Sequence, residues 1–339
     1  MKFELNNMGI IKEAAIEIDG ITVIAGENDS GKSTVGKSIF SIIKAVSRYK
    51  EDFKDDKEEK INKIIDDIYF YLRRSIDFST NIEIREVFYP PKFKEDFQKN
   101  QHNSIDRRKN FLENYIKNLN LIDIQSFDKF YHHIKKRLEL LVAISDESKT
   151  KTDLIKVAFK KAIFSEFKNE ITPNGKISKI SISEFNNQII NCKFTNSDIL
   201  DFNVLDDLYH LDATFIETPV VLHLNELIDN SKTYFDINDL SDKINRLDVP
   251  NVVLHTKDLI NKLKESIYED DFLIEIRYED LMKIIEDAIN GEFKYNKKSK
   301  EFEFIKNEQK IKSLNVASGI KSFGIIQLLL KSGLLNERS

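Results

Sequence analysis

A short glycine-bounded segment near the amino terminus constrains this chain more than any other feature. It reads Gly26-Glu27-Asn28-Asp29-Ser30-Gly31-Lys32-Ser33-Thr34 and matches the pattern G-x-x-x-x-G-K-[ST] at every fixed position. The β-branched apolar run at 21–25 precedes the segment, and apolar residues at helical spacing follow it, so the order strand, loop, helix is predicted. Backbone N–H groups in such a loop, together with the amino end of the helix, attract an anion. The segment is therefore predicted to bind phosphate.

Each side chain of the predicted loop has an expected role. Lys32 is expected to reach the β- and γ-phosphates of a nucleotide, Ser33 to ligate Mg²⁺, and Thr34 to add a phosphate contact. The loop residues predicted to bind the nucleotide are Gly26, Asn28, Asp29, Ser30, Gly31, Lys32, Ser33 and Thr34. The alternative is a chance match in an ordinary turn, which the flanking strand and helix patterns disfavour.

The composition excludes several other classes of protein. The 339 residues include 52 Lys and Arg against 57 Asp and Glu, a net charge of −5, so DNA binding has no support from an overall basic excess. The single cysteine, Cys192, excludes an internal disulfide and a cysteine-based metal cluster, and it suits a reducing compartment. We recognise neither a signal peptide nor a transmembrane run, so a cytoplasmic protein without a membrane partner is expected.

The distribution of glycine and the apolar spacing predict the domain organisation. Gly175 and Gly291 are the only glycines between residues 37 and 318, so tight backbone geometry is concentrated at the two ends of the chain. Helical spacing dominates residues 47–172, with a break at Pro90-Pro91. We therefore predict a head formed by 1–46 and 177–339, interrupted by a mostly helical insertion at 47–172.

The second half of the chain alternates between strand-like and helix-like patterns. Period-two runs bounded by turn residues predict strands, whereas apolar residues three and four apart predict helices. The predicted strands are 177–182, 188–194, 199–204 and 211–218. The predicted helices are 220–230, 252–267 and 278–290, and residues 293–304 are predicted to form a hairpin.

The segment MGIIKEAAIEIDGITVIAGENDSGKSTVGKSIF resembles the opening of the SMC/RecF/OLD-like branch of ABC-type ATPases. Within that branch it is most similar to stand-alone prokaryotic ATPases often found in phage-defence and DNA-maintenance loci. Asn28 matches an asparagine common in the loop of that family. The resemblance covers 1–46 and 311–339, with a looser similarity at 205–265. It implies an α/β P-loop NTPase fold, like an ABC-ATPase head, with some antiparallel β-structure and with ATP and Mg²⁺ as cofactors.

The segment Val316–Lys321 is similar to the signature that, in this family, opens a helix and touches ATP held by an opposing subunit. By that resemblance Ser318 and Gly319 are candidate nucleotide contacts. The segment departs from the pattern because Ala317 stands where a serine is usual and one glycine is present. We also expect Ser318 to cap the following helix. A merely capped amphipathic helix is the alternative.

The family also implies residues that are harder to place. Glu217 lies in a segment similar to the family's E-[ST]-P segment and is a candidate site residue. In the family, a Walker B strand ending in Asp-Glu follows the signature helix, whereas this chain ends at Ser339. The apolar run Leu140–Glu147 superficially resembles that strand but continues a helical stripe. We therefore expect slow hydrolysis by this chain alone, and either a truncated ATPase or a second polypeptide that completes the sheet.

These observations predict an ATP-binding protein of the ABC/SMC-like ATPase type. Mg-ATP binding and homodimer engagement would be coupled to an effector protein or to DNA, as in phage defence. The alternative is a non-hydrolysing, nucleotide-gated binding subunit that recruits or is completed by a partner chain. A P-loop kinase is a third interpretation, which the long insertion and the signature-like helix disfavour. No catalytic residue can be assigned from the sequence.

Overall fold

A computed structural model describes residues 1–118, 124–185, 187–205, 212–223, 232–233, 251–267 and 278–335. The chain divides into two units, one formed by Met1–Tyr49 with Lys151–Ser339 and the other by Lys50–Thr150. The first unit combines sheets with helices and the second is helical, so the fold is mixed α/β. Within the described part of the chain, no helix is both long enough and apolar enough to span a lipid bilayer.

The regular elements are numbered in chain order. The helices are α1 (Lys32–Ser75), α2 (Ile82–Val87), α3 (Pro90–Lys99), α4 (Gln101–Asn118), α5 (Ile124–Ser145), α6 (Lys151–Phe167), α7 (Leu254–Glu265), α8 (Glu279–Ile289) and α9 (Ser318–Lys331). The strands are β1 (Lys2–Met8), β2 (Ile11–Glu17), β3 (Ser178–Glu184), β4 (Asn187–Phe194), β5 (Ile199–Val204), β6 (Lys232–Thr233), β7 (Asn251–Val252), β8 (Glu292–Asn296), β9 (Glu301–Lys306) and β10 (Gln309–Lys312).

The larger sheet of the first unit contains five antiparallel strands in the order β2-β1-β3-β4-β5. Phe3 lies opposite Ile16 in β2 and Ile182 in β3. Alternate side chains of these neighbouring strands therefore meet on the same face of the sheet. The strands predicted at 177–182, 188–194 and 199–204 are confirmed as β3, β4 and β5.

Two helices pack on this sheet and form the first hydrophobic core. The amino-terminal part of α1 contributes Val35, Ile42 and Val46, and α6 contributes Phe159, whose ring centroid lies 5.8 Å from that of Phe194 in β4. This packing holds the start of α1 against the β1–β2 hairpin. It also places α6, which the sequence-based boundaries assign to the insertion, within the first unit.

A second hydrophobic core in the same unit is formed by α7, α8, α9 and the antiparallel sheet β10-β9-β8. Phe293 lies opposite Phe304, so the predicted hairpin at 293–304 is confirmed. The helices predicted at 252–267 and 278–290 are confirmed as α7 and α8. Of the helix predicted at 220–230, the described residues form a short 3₁₀ turn at Pro219–His223, and the remainder lies outside the described residues.

The unit Lys50–Thr150 contains the rest of α1 together with α2, α3, α4 and α5. Its core includes Ile65 and Leu72 of α1 with Leu138 of α5. The predicted break at Pro90-Pro91 is confirmed because α3 begins at Pro90, a position in the first turn where the missing N–H is tolerated. The helical interpretation of the run beginning at Leu140 is also confirmed, since α5 continues to Ser145.

The strand predicted at 21–25 is wrong. Those residues have no regular structure, and Ile21 and Val23 are 95% and 83% exposed. Among the described residues, parallel pairing occurs solely between the two-residue strands β6 and β7, so the expected parallel P-loop sheet is not formed there. Strand propensity cannot replace a neighbouring strand, which must pair the backbone N–H and C=O groups.

The strand predicted at 211–218 is wrong for its described part. Residues 212–218 form no ladder with another strand. Their polar groups bind side chains of α1 and α7 instead: Asp212 pairs with Lys44, and the Ala213 carbonyl accepts from the Lys262 ammonium at 3.2 Å. The segment therefore lies against these two helices and does not join a sheet.

Candidate phosphate-binding site

The predicted phosphate loop lies at the amino end of α1. Lys32 is the first residue of the helix, and the N–H of Val35 donates to the Gly31 carbonyl at 3.0 Å. Asp29 and Gly31 adopt the left-handed conformation, with φ of +62° and +93°. The backbone therefore turns tightly just before the helix, where the partial positive charge of the helix dipole is greatest.

Gly31 also allows the loop to pack closely on the β1–β2 hairpin. A Cβ atom at this position would lie 2.7 Å from Cγ1 of Ile11, which is too close for any side chain. Both the positive φ and this contact require glycine. The hairpin is thus the support that gives the loop its shape.

The Lys32 side chain turns back across the loop. Its ammonium donates to the carbonyl oxygens of Gly26 at 2.8 Å and Glu27 at 2.5 Å, and it lies 3.5 Å from the Ser30 hydroxyl. These bonds hold the positive charge over the loop, where an incoming phosphate group could exchange for the carbonyls.

The loop surrounds an open pocket of about 450 Å³. It is lined by Gly9, Ile10, Asn28, Asp29, Ser30, Gly31, Lys32, Ser33 and Thr34. All the predicted loop residues except Gly26 therefore line one pocket, and Gly26 contributes the carbonyl that binds Lys32. Sequence reasoning did not identify Gly9 and Ile10, although Gly9 lies in the turn between β1 and β2.

The groups around the pocket fit a phosphate with a hard cation. Ser33 is exposed in the first turn of α1, and a hydroxyl oxygen is a suitable ligand for Mg²⁺. Among the described residues, no group of three or more His, Cys, Asp or Glu side chains could hold a metal ion. A cation at this pocket would therefore need phosphate oxygens or water to complete the ligands that the loop supplies.

Ser318 and Gly319 are exposed in the first turn of α9, in the second core. They do not line the pocket at the phosphate loop, so the structure does not bring these two sets of predicted residues together within one chain. The expectation that Ser318 caps the helix is wrong. The N-cap is Ala317, which has no side-chain oxygen to accept a hydrogen bond, and Ser318 is the first helical residue.

Glu217 lies beside α1, one helical turn beyond the loop. Its carboxylate accepts from the Lys37 ammonium at 2.6 Å, and its side chain is 44% exposed. Burial raises the pKa of Glu217, but the hydrogen bond and charge of Lys37 outweigh it and bring the pKa below the usual value. Glu217 is therefore an ionised carboxylate near the predicted site.

Two buried groups next to Glu217 were not identified by sequence reasoning. The His255 ring lies between Glu217 and the fully buried Glu166, with ring nitrogen to oxygen distances of 3.0 Å and 2.7 Å. These three residues come from α6, the 212–218 segment and α7. No local pattern links positions so far apart in sequence, so only the tertiary structure reveals this chain of contacts.

A second set of buried charges ties the same segment to α1 and α7. Asp212 accepts from Lys44 and from Lys262, each at 2.5 Å. Asp258 lies 2.8 Å from Lys44, and burial raises its pKa above the usual value. We call Lys44, Asp212, Asp258 and Lys262 the charge cluster. Sequence reasoning missed it for the same reason.

The comparisons with known proteins do not add to this picture: no family model, no curated protein and no solved structure matches the chain.

Proposed function

We propose that this chain binds Mg-ATP through residues 26–34. The observation that carries the proposal is the position of the Lys32 ammonium at the amino end of α1, over a loop that lines an open pocket of about 450 Å³. Lys32 would contact the terminal phosphates and Ser33 would ligate Mg²⁺. Backbone N–H groups of the loop would surround the phosphate oxygens.

The wider proposal is an ABC/SMC-like ATPase in which Mg-ATP binding drives dimer engagement and acts on an effector or on DNA. The exposed first turn of α9 supports it, since Ser318 and Gly319 are accessible to a second subunit.

One observation favours a second candidate, a nucleotide-gated binding subunit with no useful turnover. Among the residues that the structure describes, Asp29 is the sole acidic residue lining the pocket, and it lies within the loop. Hydrolysis needs a group that orients the attacking water. Binding and dimerisation do not need that group.

Calorimetry with Mg-ATP tests the proposal directly. We expect the wild-type protein to release or absorb heat with a saturable profile, and Lys32→Ala to weaken binding by about 100-fold, because the charge-assisted contact to phosphate is lost. Lys12→Ala is the matched control, since Lys12 is exposed on β2 and does not line the pocket. An absence of binding by wild type, or equal binding by Lys32→Ala, would contradict the proposal.

Steady-state phosphate release separates the two candidates. Repeated turnovers that depend on Lys32 would identify an ATPase and exclude the binding-only subunit. Binding without turnover, accompanied by an ATP-dependent increase in mass in sedimentation, would identify the nucleotide-gated subunit. Phosphate transfer to an added acceptor would instead identify a kinase.

A further inference from the structure

His255 is held between carboxylates on both sides of its ring. Nδ1 lies 2.7 Å from Oε1 of Glu166, and Nε2 lies 3.0 Å from Oε2 of Glu217. The backbone N–H of His255 also donates to Oε2 of Glu166 at 3.1 Å. The His255 side chain is 2% exposed and that of Glu166 is fully buried, so water cannot replace these partners.

Hydrogen-bond counting assigns a charge to this arrangement. A carboxylate accepts hydrogen bonds and does not donate them, whereas a neutral imidazole has one N–H donor and one acceptor nitrogen. Both ring nitrogens of His255 face carboxyl oxygens, so while Glu166 and Glu217 are both ionised each nitrogen needs a proton to donate. The imidazolium and Lys37 then balance the charges of Glu166 and Glu217.

This balanced set adjoins the phosphate loop through α1. Lys37 follows Ser33 by four residues, so the two side chains lie on the same face of the helix, one turn apart. The Lys37 ammonium is 2.6 Å from Glu217 and 4.0 Å from Glu166. Lys37 therefore lies about 6 Å along the helix axis from Ser33, given a rise of about 1.5 Å per residue, and it carries the contact from Glu217 toward the loop.

We propose that His255 is a positioning residue whose proton sets the affinity of the phosphate loop for nucleotide, acting through Glu217 and Lys37. This inference rests on the proposed binding of Mg-ATP at residues 26–34. It gives Glu166, Glu217 and His255 a regulatory role at that same site.

Loss of the proton changes both the contacts and the charge beside the loop. A neutral His255 can donate to one carboxylate. Glu166, which is fully buried, keeps this bond because an unpaired buried carboxylate is the less favourable of the two states. Glu217, which is 44% exposed, is then released from the ring. The set also acquires a net negative charge, which repels a polyphosphate.

The other groups around His255 do not offset this effect. The rings of Phe40 and Phe215 meet the imidazole edge to face, at centroid distances of 6.4 Å and 5.1 Å, and carry no charge. Further along α7, Asp258 pairs with Lys44, and Lys262 pairs with Asp212. The groups that respond directly to the His255 proton are thus Glu166, Glu217 and Lys37.

The dissociation constant for Mg-ATP, measured by calorimetry between pH 5.5 and pH 9 at fixed ionic strength, tests the proposal. We expect wild-type affinity to fall by about 3- to 10-fold on the alkaline side, from Coulomb repulsion in a partly screened medium. His255→Gln, which cannot gain a charge, should lose this dependence. Glu217→Gln should move the fall in affinity to lower pH, because one of the two carboxylates that favour the protonated ring is removed.

Two controls separate this effect from the titration of the nucleotide and from general damage. His102→Gln makes the same chemical change at an exposed histidine, 65% accessible and 3.5 Å from Asp146, and should keep the wild-type pH profile. Proton NMR of the His255 ring, assigned by its absence in His255→Gln, should show both nitrogens protonated. By reciprocal linkage, Mg-ATP should extend that state to higher pH.

The outcomes are distinct. Parallel pH profiles for wild type, His255→Gln and Glu217→Gln, or a ring with a single proton throughout, would overturn the inference while leaving Mg-ATP binding intact. A failure of wild type to bind Mg-ATP at any pH would instead refute the proposed function. If His255→Gln does not fold, the pH profile of Glu217→Gln, a change at a half-exposed position, still decides.

Discussion

A Cβ atom on Gly36 would lie 2.7 Å from Cε2 of Phe215. The α1 helix therefore approaches the 212–218 segment at a distance that only glycine permits. Phe215 in turn packs against His255, with ring centroids 5.1 Å apart and an interplanar angle of 79°. This contact sets the separation between α1 and the segment that carries Glu217.

Gly36→Ala is expected to lower the free energy of unfolding by about 1–3 kcal/mol, because the added methyl group forces the Phe215 ring to move. Alanine stabilises a helix interior by about 1 kcal/mol relative to glycine. A net loss of stability would therefore show that the clash with Phe215 outweighs the gain in helix propensity. Urea denaturation measures the change. Gly319→Ala is the matched control, since no atom lies within 4 Å of its added Cβ, and it should be neutral or slightly stabilising.

Gly31→Ala is expected to abolish Mg-ATP binding and to destabilise the protein by about 2 kcal/mol or more. Alanine at this position would adopt a φ of +93° and clash with Ile11 at 2.7 Å, so the loop must rearrange. Calorimetry and denaturation measure the two effects.

Gly20→Ala is the control: it also places a side chain at positive φ, +64°, but in open space. It should weaken stability by about 1 kcal/mol and leave binding unchanged. Equal effects at both sites would contradict the role given to Ile11.

Asp212→Asn is expected to destabilise the protein by about 3 kcal/mol, since two buried ammonium groups lose a shared carboxylate. Asp258→Asn should have a smaller effect, about 1 kcal/mol, because the cost of burying Asp258, which raises its pKa, offsets part of what its contact with Lys44 contributes. Urea denaturation near neutral pH compares the two variants. A larger loss for Asp258→Asn would show that this carboxyl group, and not Asp212, balances the lysines.

The contribution of Asp212 should also depend on pH. Burial raises its pKa, but the charges of Lys44 and Lys262 outweigh that effect and hold the pKa below the usual value for an aspartate. A lowered carboxyl pKa gives stability that is present above the unfolded-state pKa and is lost as the pH falls through the folded-state value. The difference in the free energy of unfolding between wild type and Asp212→Asn should therefore become smaller as the pH is lowered from about 6 to about 3. A constant gap would exclude the ion-pair explanation.

Gln327→Leu is expected to lower the free energy of unfolding by about 2 kcal/mol. The buried Gln327 carbonyl oxygen accepts from the N–H of Phe293 at 2.7 Å, and leucine would leave that N–H without a partner in the second core. Thermal or urea denaturation measures the loss. Gln309→Leu on the exposed β10 is the control and should change stability by less than about 0.5 kcal/mol. A neutral Gln327→Leu would show that the hydrogen bond is dispensable.

Local patterns were sufficient to predict the parts of the fold that local chemistry decides. The motif at 26–34 predicted a tight loop followed by a helix, and the structure has left-handed residues at Asp29 and Gly31 before α1. Alternating apolar residues predicted β3, β4 and β5. The Phe293–Phe304 hairpin was predictable because both strands lie close together in sequence.

The prediction at 21–25 was wrong because a strand needs a partner strand, and that partner is not specified by the neighbouring residues. Residues such as Ile21 and Val23 favour extended structure, yet no described strand pairs with them and they remain exposed. The same limit applies to 212–218, where Asp212 and Glu217 bind lysines of the neighbouring helices and the backbone forms no ladder.

The sequence alone therefore determined the shape of the loop at 26–34, since a tight glycine turn, a lysine and a helix start are set by neighbouring residues. The tertiary structure decided what surrounds that loop. Glu166, Glu217 and His255 lie dozens of residues apart in sequence, and only the packing of α1, α6 and α7 brings their charged groups within hydrogen-bond distance. Electrostatic contacts of this kind depend on distance in space, which spacing along the chain does not encode.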